Sequence, residues 1–217
     1  MKYNREIHHR HSMRLKGFKY SSPGYYFITI CTQNRECLFG NISQRMLEIN
    51  NAGEMIKKEW TNLTQRFNHI IIDEFVIMPN HLHGVIHITG GQPFRAINDY
   101  SKNRVKIIDN TDLIEPPSGT SENSISRIIQ GFKSISTVNY IESVRINHWP
   151  PFEKHLWQQN FYDHIIRNME ELKEIRGYIM NNPLNWESDE DNPINLKNKN
   201  PVLILSDENK NLKGSED

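Results

Sequence analysis

The sequence predicts an α+β fold, a ferredoxin-like antiparallel sheet with helices packed on one face. Three observations lead to this fold class. Two long stretches carry apolar residues at intervals of three and four, as amphipathic helices do, and several shorter stretches are rich in β-branched residues, as strands are. Along the chain the elements follow the order strand, helix, strand, strand, helix, strand, helix. Right-handed crossovers then place the helices over one sheet face and leave the other face available for a ligand.

The first half of the chain supplies three strands and one helix. Residues 25–32 alternate apolar and polar or β-branched side chains and predict the first strand. Ser43 is expected to cap the first helix, whose apolar stripe runs to Phe67. Residues 69–78 are rich in Ile and Val and predict the second strand. A Pro-Asn turn leads from it at once into the third strand, so these two strands should form an antiparallel hairpin.

The second half contains a long irregular stretch and the remaining elements. Residues 91–122 lack periodicity and contain several glycines and prolines, which predicts a long loop or insertion. A helix resumes near Ser124. The aromatic segment Phe152–Gln158 is predicted as a short strand. The last helix is expected to begin after the capping residue Asn168 and to end before Pro183.

Charge divides the chain into three parts. The 26 basic and 26 acidic residues cancel, but residues 1–19 are strongly basic and residues 187–217 are acidic. We therefore expect a basic N-terminal arm, a folded domain over residues 20–186, and an acidic, disordered tail. Basic arms commonly contact phosphates, whereas an acidic tail rich in Asn commonly stays unfolded. A solvated terminus without a partner is the alternative for both segments.

Nothing in the sequence points to a membrane or an oxidising compartment. No apolar run approaches the roughly 20 residues that a membrane span needs, and no apolar segment follows the basic N-terminus as in a signal peptide. Cys31 and Cys37 have the spacing of neither a zinc knuckle nor a redox pair. The expected location is the cytoplasm.

Two histidines define the first candidate site. His81 and His83 begin the third strand, and alternation places their side chains on one sheet face about 6.6 Å apart. Two imidazoles at this spacing can bind one divalent ion, while Leu82 and Gly84 face the core. The alternative is that they are ordinary strand histidines on a solvated face, because His-x-His alone occurs in several unrelated metal sites.

The last helix supplies the second candidate site. Tyr178 and Asn182 are four residues apart and therefore share a helix face. A phenol can attack a phosphodiester and hold the cleaved strand covalently, and an amide oxygen can bind a divalent cation. Simple packing of the tyrosine is the alternative.

Several short motifs occur in order along the chain, from about Arg14 to Trp186: Arg14–Phe18, Tyr26–Thr32, Met78–Gly84, Ile129–Ser134, Leu156–Gln158, Phe161–Asn168 and Tyr178–Leu184. Together they resemble the REP-associated tyrosine transposases, relatives of the single-tyrosine insertion-sequence transposases with a His-hydrophobe-His (HUH) motif. The ordered series is far more specific than His-x-His alone.

The resemblance implies a transposase-like nuclease that cuts single-stranded DNA beside a hairpin such as a REP-like palindrome. The enzyme would form a 5′-phosphotyrosine and need Mg²⁺ or Mn²⁺ but no nucleotide cofactor. By position, His81 and His83 match the metal ligands, Tyr178 the nucleophile and Asn182 a polar metal ligand. Asn182 stands where the insertion-sequence branch usually has Gln. The family includes self-contained and exchanged sites, so the chain is expected to act as a monomer or a homodimer.

Further residues are accessory or alternative candidates. Tyr162 is a rival nucleophile, and His164 and Gln158 could complete the site. The residue four beyond Tyr162 is Ile166, which cannot bind a metal, and this favours Tyr178. Phosphate contacts are expected from basic residues of the arm and the domain, namely Arg14, Lys16, Arg127, Lys133 and Arg167.

Two other classes of protein remain as alternatives. One is a domesticated protein that binds hairpin DNA but no longer cleaves it, although the presence of His81, His83 and Tyr178 favours activity. The other is a cupin-like or zinc hydrolase site, which would require a further His or Glu ligand in a barrel of many strands.

Overall fold

The computed structural model describes residues 20–89 and 124–195. The predicted N-terminal arm, the predicted loop over residues 91–122 and residues 196–217 lie outside this part of the chain. Arg14 and Lys16 are therefore also outside it. No helix within the two described ranges is long and apolar enough to cross a membrane.

The described residues form two sheets and four α-helices. The strands are β1 (Gly24–Cys31), β2 (Gly40–Ser43), β3 (Met46–Ile49), β4 (Ile70–Ile77), β5 (His81–Ile88) and β6 (Tyr162–Ile166). The helices are α1 (Asn51–Thr61), α2 (Leu63–Arg66), α3 (Ile125–Asn147) and α4 (Met169–Asn181), and 3-10 segments cover Gln33–Arg35 and Asn182–Ser188.

The main sheet has the strand order β4-β5-β1-β6, and every neighbouring pair is antiparallel. With α1 and α3 as crossovers, this is the ferredoxin-like arrangement, so the predicted α+β fold class is confirmed. The sheet is open and has four strands. In the described part of the chain, it therefore lacks the many-stranded barrel that the cupin-like alternative required.

The larger core lies between the sheet and helices α1 and α3. Tyr26, Ile28 and Ile30 alternate along β1 and are fully buried against these helices. Trp60 of α1 and Phe132 of α3 meet edge to face with ring centroids 5.2 Å apart. Burial of such large side chains is the main favourable contribution to folding.

Helix α4 lies on the opposite face of the sheet, which differs from the expectation that the helices share one face. Its buried residues Leu172 and Ile179 pack with Val85 of β5 and with the partly buried Phe27 of β1. The reason is that this face also carries apolar side chains, Val85 with the partly buried Phe27 and Val76, and they need a cover. This placement brings α4 onto the face that carries His83.

One predicted element boundary was wrong in the first half. Ser43 does not cap a helix, because it ends β2 of the small β2-β3 hairpin. The turn between these strands places Gln44 and Arg45 at positive φ. Helix α1 instead begins after Asn50, whose side chain accepts a hydrogen bond of 3.0 Å from the backbone N–H of Gly53.

The predicted strand Phe152–Gln158 was also wrong. Within this segment, Trp157 forms an isolated bridge with Thr32, and β6 comes later, at Tyr162–Ile166. The aromatic and apolar side chains that suggested a strand serve the core instead. The Trp157 indole is 5% exposed and donates a hydrogen bond of 2.9 Å to Ser136 Oγ.

The acidic segment folds onto the domain over part of its length. Residues 187–195, which were assigned to the disordered tail, belong to the described structure. The amide of Asn195 donates to the carbonyls of Glu187 and Asp189 at 2.9 and 2.8 Å, which closes the segment on itself. The domain therefore extends beyond residue 186.

Gly84 is expected to be intolerant of substitution. A Cβ at this position would lie 2.6 Å from Trp60 Cζ2 and 3.2 Å from Phe75 Cβ, so both side chains would have to move. Gly84→Ala should lower the free energy of unfolding by about 1–3 kcal/mol, measured by urea denaturation. Gly177→Ala is the matched control, because a Cβ there has no atom within 4 Å. This change within α4 should instead stabilise the protein by about 0.5–1 kcal/mol.

Candidate metal centre and tyrosine

The two histidines of β5 converge on one point. His81 and His83 are 0% and 4% exposed, and their Nε2 atoms are 3.0 Å apart. Two nitrogens that bind one ion at right angles, each about 2.1 Å from it, are also about 3.0 Å apart. The spacing therefore suits two ligands of one cation.

Each imidazole is held through its other nitrogen. His81 Nδ1 lies 2.8 Å from Asn80 Oδ1. The Asn80 amide nitrogen donates to the carbonyls of Arg35 and Asp191, so its oxygen must be the atom that faces His81. His81 therefore carries its proton on Nδ1 and directs the Nε2 lone pair into the site. The Nδ1 of His83 is held by Thr29 Oγ1, which lies 2.8 Å from it.

Both histidines are kept neutral. Burial lowers the pKa of His81 well below its usual range, and the neighbouring His83 and Arg35 lower it further. Burial lowers the pKa of His83 to about 3. A neutral imidazole is the form that binds a metal ion, so both side chains are ready to act as ligands at physiological pH.

Asp189 supplies a third ligand group that the sequence did not suggest. Its Oδ2 lies 3.9 Å from His81 Nε2, and one ligand atom each of His81, His83 and Asp189 lie within 4.8 Å of one another. Asp189 Oδ1 accepts a hydrogen bond of 2.7 Å from the backbone N–H of Asp191, which fixes the carboxylate. Burial raises the pKa of this carboxyl, because burial disfavours the charged form.

The acidic run was the sequence signal that could have revealed Asp189. It follows directly after the helix that bears Tyr178, but charge alone suggested a solvated tail. Arg35 pairs with the Asp191 carboxylate, and Asn80 donates to the Asp191 carbonyl at 2.7 Å. These contacts hold the segment against β5 and so place Asp189 beside the histidines.

Asn182 lies at the same centre. Its side chain is 2% exposed and interacts with His81, Tyr178 and Asp189. Its buried Oδ1 has no hydrogen-bond partner among the described residues. A buried amide oxygen without a partner is costly unless a ligand satisfies it, and a cation would do so. The set of two imidazole nitrogens, a carboxylate and an amide oxygen thus fits a divalent cation.

Tyr178 reaches the centre from α4. Its hydroxyl lies 3.2 Å from His83 Nε2, and its ring packs edge-on against Phe27 with centroids 6.0 Å apart. The side chain is 48% exposed, so one side of it remains open to solvent. Burial raises the pKa of the phenol, and the charge of Asp189 raises it further. The phenol is therefore protonated at neutral pH.

An open cleft of about 770 Å³ gives access to this centre. The residues that line the cleft include His83, Tyr178 and Asn182, Asp189 to Asp191 of the acidic segment, and Gln158 and Tyr162. The structure thus brings Gln158 and Tyr162, two of the predicted accessory residues, into the cleft beside the centre.

The remaining predicted residues have other surroundings. His164 Nε2 lies 2.6 Å from Glu171 Oε1, which links β6 to α4. Lys133 Nζ donates to the carbonyls of residues 158 and 160 at 2.8 and 3.0 Å, and burial lowers its pKa to about 8. Its ammonium is thus used inside the protein rather than offered to a phosphate. Arg127 lies within hydrogen-bonding reach of Gln130, and Arg167 is exposed.

Asn80 is expected to control metal affinity without touching the metal. Asn80→Ala removes the acceptor that orients His81 and the donor that holds residue 191, so Mn²⁺ affinity should fall by about 10–100-fold, measured by calorimetric titration. Thr29→Val, which removes only the contact to His83, should give a smaller loss. Unchanged affinity in Asn80→Ala would contradict the orienting role.

The fold and this centre define a class of protein: a ferredoxin-like domain in which two histidines and an aspartate could hold a metal beside a tyrosine on a helix. The chain belongs to the same family as an uncharacterized protein of Haemophilus influenzae, with which it is 41% identical over 192 residues. The match covers 87% of this chain and 96% of that protein. No model of a known protein family matches the chain.

Two solved structures are similar to the chain at low identity. One is a REP-associated tyrosine transposase bound to a REP hairpin, with 17% identity and a TM-score of 0.46 over 79% of this chain and 73% of that one. The other is a candidate transposase of Deinococcus radiodurans, with 13% identity and a TM-score of 0.38 over 77% of this chain and 95% of that one. The first is a member of the family that the sequence motifs resemble.

Proposed function

We propose that the chain is a metal-dependent endonuclease and strand transferase that cleaves single-stranded DNA next to a hairpin. The observation that carries the proposal is the 3.2 Å distance between the Tyr178 hydroxyl and His83 Nε2. A nucleophile of the right chemistry thus reaches the centre that His81, His83 and Asp189 form. The series of sequence motifs supports DNA as the substrate class.

In the proposed reaction Tyr178 attacks the scissile phosphorus. The bond between its Oη and phosphorus forms as the bond from phosphorus to the 3′ oxygen breaks, which leaves a 5′-phosphotyrosine. The phenol proton passes to the solvent of the open cleft, and the departing 3′ oxygen takes up a proton to become a hydroxyl. The number of phosphodiester-type bonds is unchanged, so a 3′-hydroxyl can reverse the step and rejoin a strand without a nucleotide cofactor.

The metal ligands would be His81, His83, Asp189 and Asn182. Bound there, a divalent cation such as Mg²⁺ or Mn²⁺ would polarise the scissile phosphate and offset the charge that develops on it. The protein's own contribution is to hold these ligands in place before binding, through Asn80 and Thr29. Preorganised ligands need no rearrangement when the substrate arrives.

Self-contained assembly is part of the proposal. Tyr178 and both histidines converge within one chain, so a second subunit is not needed to complete the centre. This supports a monomer as the active unit. Phosphate contacts outside the cleft are proposed for the exposed Arg167 and for Arg14 and Lys16 of the arm.

The test uses a labelled DNA hairpin with unpaired flanks, incubated with the protein and Mn²⁺ in the presence or absence of EDTA. A covalent protein–DNA band on a denaturing gel, absent with EDTA, is the expected result. Tight binding of the hairpin without an adduct in Mn²⁺ or Mg²⁺ would contradict cleavage and favour the domesticated binding protein.

A further inference from the structure

The cleft extends past the metal centre toward β6, where Tyr162 lies. Thr29 of β1 pairs with His83 on one side and with Tyr162 on the other, so the three side chains form one row on the same sheet face. Two strand spacings, about 10 Å, separate the backbones of His83 and Tyr162. The cleft therefore places Tyr162 within reach of a group attached to a phosphate at the metal centre.

Tyr162 presents an aromatic ring to the cleft. Its side chain is 41% exposed and stands edge-on to Phe27, with centroids 6.2 Å apart and planes at 70°. Phe27 thus supports the ring from the sheet side. A supported, partly exposed ring in a cleft is a platform on which a flat, unpaired base can stack.

Two residues with neutral amide side chains line the cleft together with this ring. They are Gln158 and Asn160, and Lys133 Nζ donates to their backbone carbonyls at 2.8 and 3.0 Å. Side-chain amides offer a donor and an acceptor together, which matches the edges of nucleobases. Lys133 thus fixes the backbone that carries these two amides.

The charges of the cleft favour a neutral base over a phosphate beside Tyr162. The cleft lining includes Asp189, Glu190 and Asp191. Among the described residues that line the cleft, Arg35 is the one Lys or Arg, and it pairs with Asp191. Away from the metal centre the cleft therefore disfavours an anion but accepts a neutral, planar, polar group.

From these observations we propose that Tyr162, Gln158 and Asn160 form a binding site for one unpaired nucleobase of single-stranded DNA, adjacent to the scissile phosphate, with the base stacked on Tyr162. The inference rests on the proposed function for the identity of the strand. It gives Tyr162 a role in binding and base selection, distinct from that of a nucleophile.

Hairpin DNAs that each carry one abasic nucleotide at a different unpaired position test this site. Binding is measured in the Tyr178→Phe background so that the strand is not cut, and Tyr162→Phe, which keeps the ring, is the matched control. Tyr162→Leu should weaken binding of intact DNA by about 5–150-fold, the range for loss of one stacked base. At one position, an abasic nucleotide should weaken binding by the protein that retains Tyr162 by a similar factor. The same abasic DNA should bind Tyr162→Leu almost as tightly as intact DNA does.

Two results would overturn the site. The first is that Tyr162→Leu binds the DNA as tightly as its Tyr178→Phe parent. The second is that the loss of affinity from Tyr162→Leu and the loss from an abasic nucleotide multiply at every position, because the two changes are then independent. Adduct formation with Mn²⁺, assayed in proteins that retain Tyr178, separates this failure from that of the proposed function. If adducts form but the effects of Tyr162→Leu and of every abasic position are independent, the base site alone is rejected. Absence of adducts from the unaltered protein rejects the nuclease and, with it, the site.

Discussion

Replacing Tyr178 with Phe is expected to abolish covalent attachment to DNA while hairpin binding survives. The change removes one oxygen atom, the one that lies 3.2 Å from His83 Nε2, and keeps the ring that packs on Phe27. Without a nucleophile the adduct should fall by at least about 10³-fold. The measurement is a denaturing gel with labelled hairpin DNA and Mn²⁺, together with a binding titration.

Tyr162→Phe is the control for this experiment. Tyr162 is also a partly exposed tyrosine of the cleft, but its hydroxyl belongs to a side chain two strands away from His83. Because this variant keeps the ring, it should still form adducts, whereas Tyr178→Phe should not. Full adduct from Tyr178→Phe together with loss in Tyr162→Phe would reverse the assignment of the nucleophile.

Replacing His81 and His83 together with Ala is expected to eliminate Mn²⁺ binding and cleavage. The affinity loss should exceed the roughly 10–100-fold expected when only an outer-shell partner is removed. Calorimetric titration with Mn²⁺ measures it, and circular dichroism checks that the fold persists. His155→Ala, at an exposed histidine outside the centre, should leave both properties unchanged.

The same titration separates the two candidate oxygen ligands. Asp189→Asn removes a charge from the centre and keeps its shape, whereas Asn182→Ala removes the buried oxygen that has no partner among the described residues. Both should weaken Mn²⁺ binding, and Asp189→Asn more, because a carboxylate attracts a divalent ion more strongly than an amide. An Asp189→Asn protein that binds Mn²⁺ normally would remove Asp189 from the ligand set.

Pairs of site residues that lie on one element were predictable from sequence. His81 and His83 share a face because a strand alternates, and Tyr178 and Asn182 were placed together because helix residues four apart are neighbours. Both rules depend only on local backbone geometry. The structure keeps both pairs at one centre, although Asn182 already belongs to the 3-10 segment after α4.

The residues that were missed depend on contacts distant in sequence. Asp189 reaches the histidines because Arg35 and Asn80 hold residue 191, and no local pattern reveals such a contact. Likewise, the aromatic residues around Trp157 suggested a strand, but their packing against α3 puts β6 further along the chain. Composition cannot tell a side chain that packs in a core from one that lines a sheet.

By itself the sequence determined the class of fold and which side chains could do chemistry, because hydrophobic period and residue type are properties of short segments. Only the tertiary structure decided that α4 covers the histidine face and that the acidic segment turns back to place Asp189 there. Both placements depend on which apolar surfaces remain to be buried once the sheet has formed. The remaining apolar surface is a property of the whole domain rather than of any one segment.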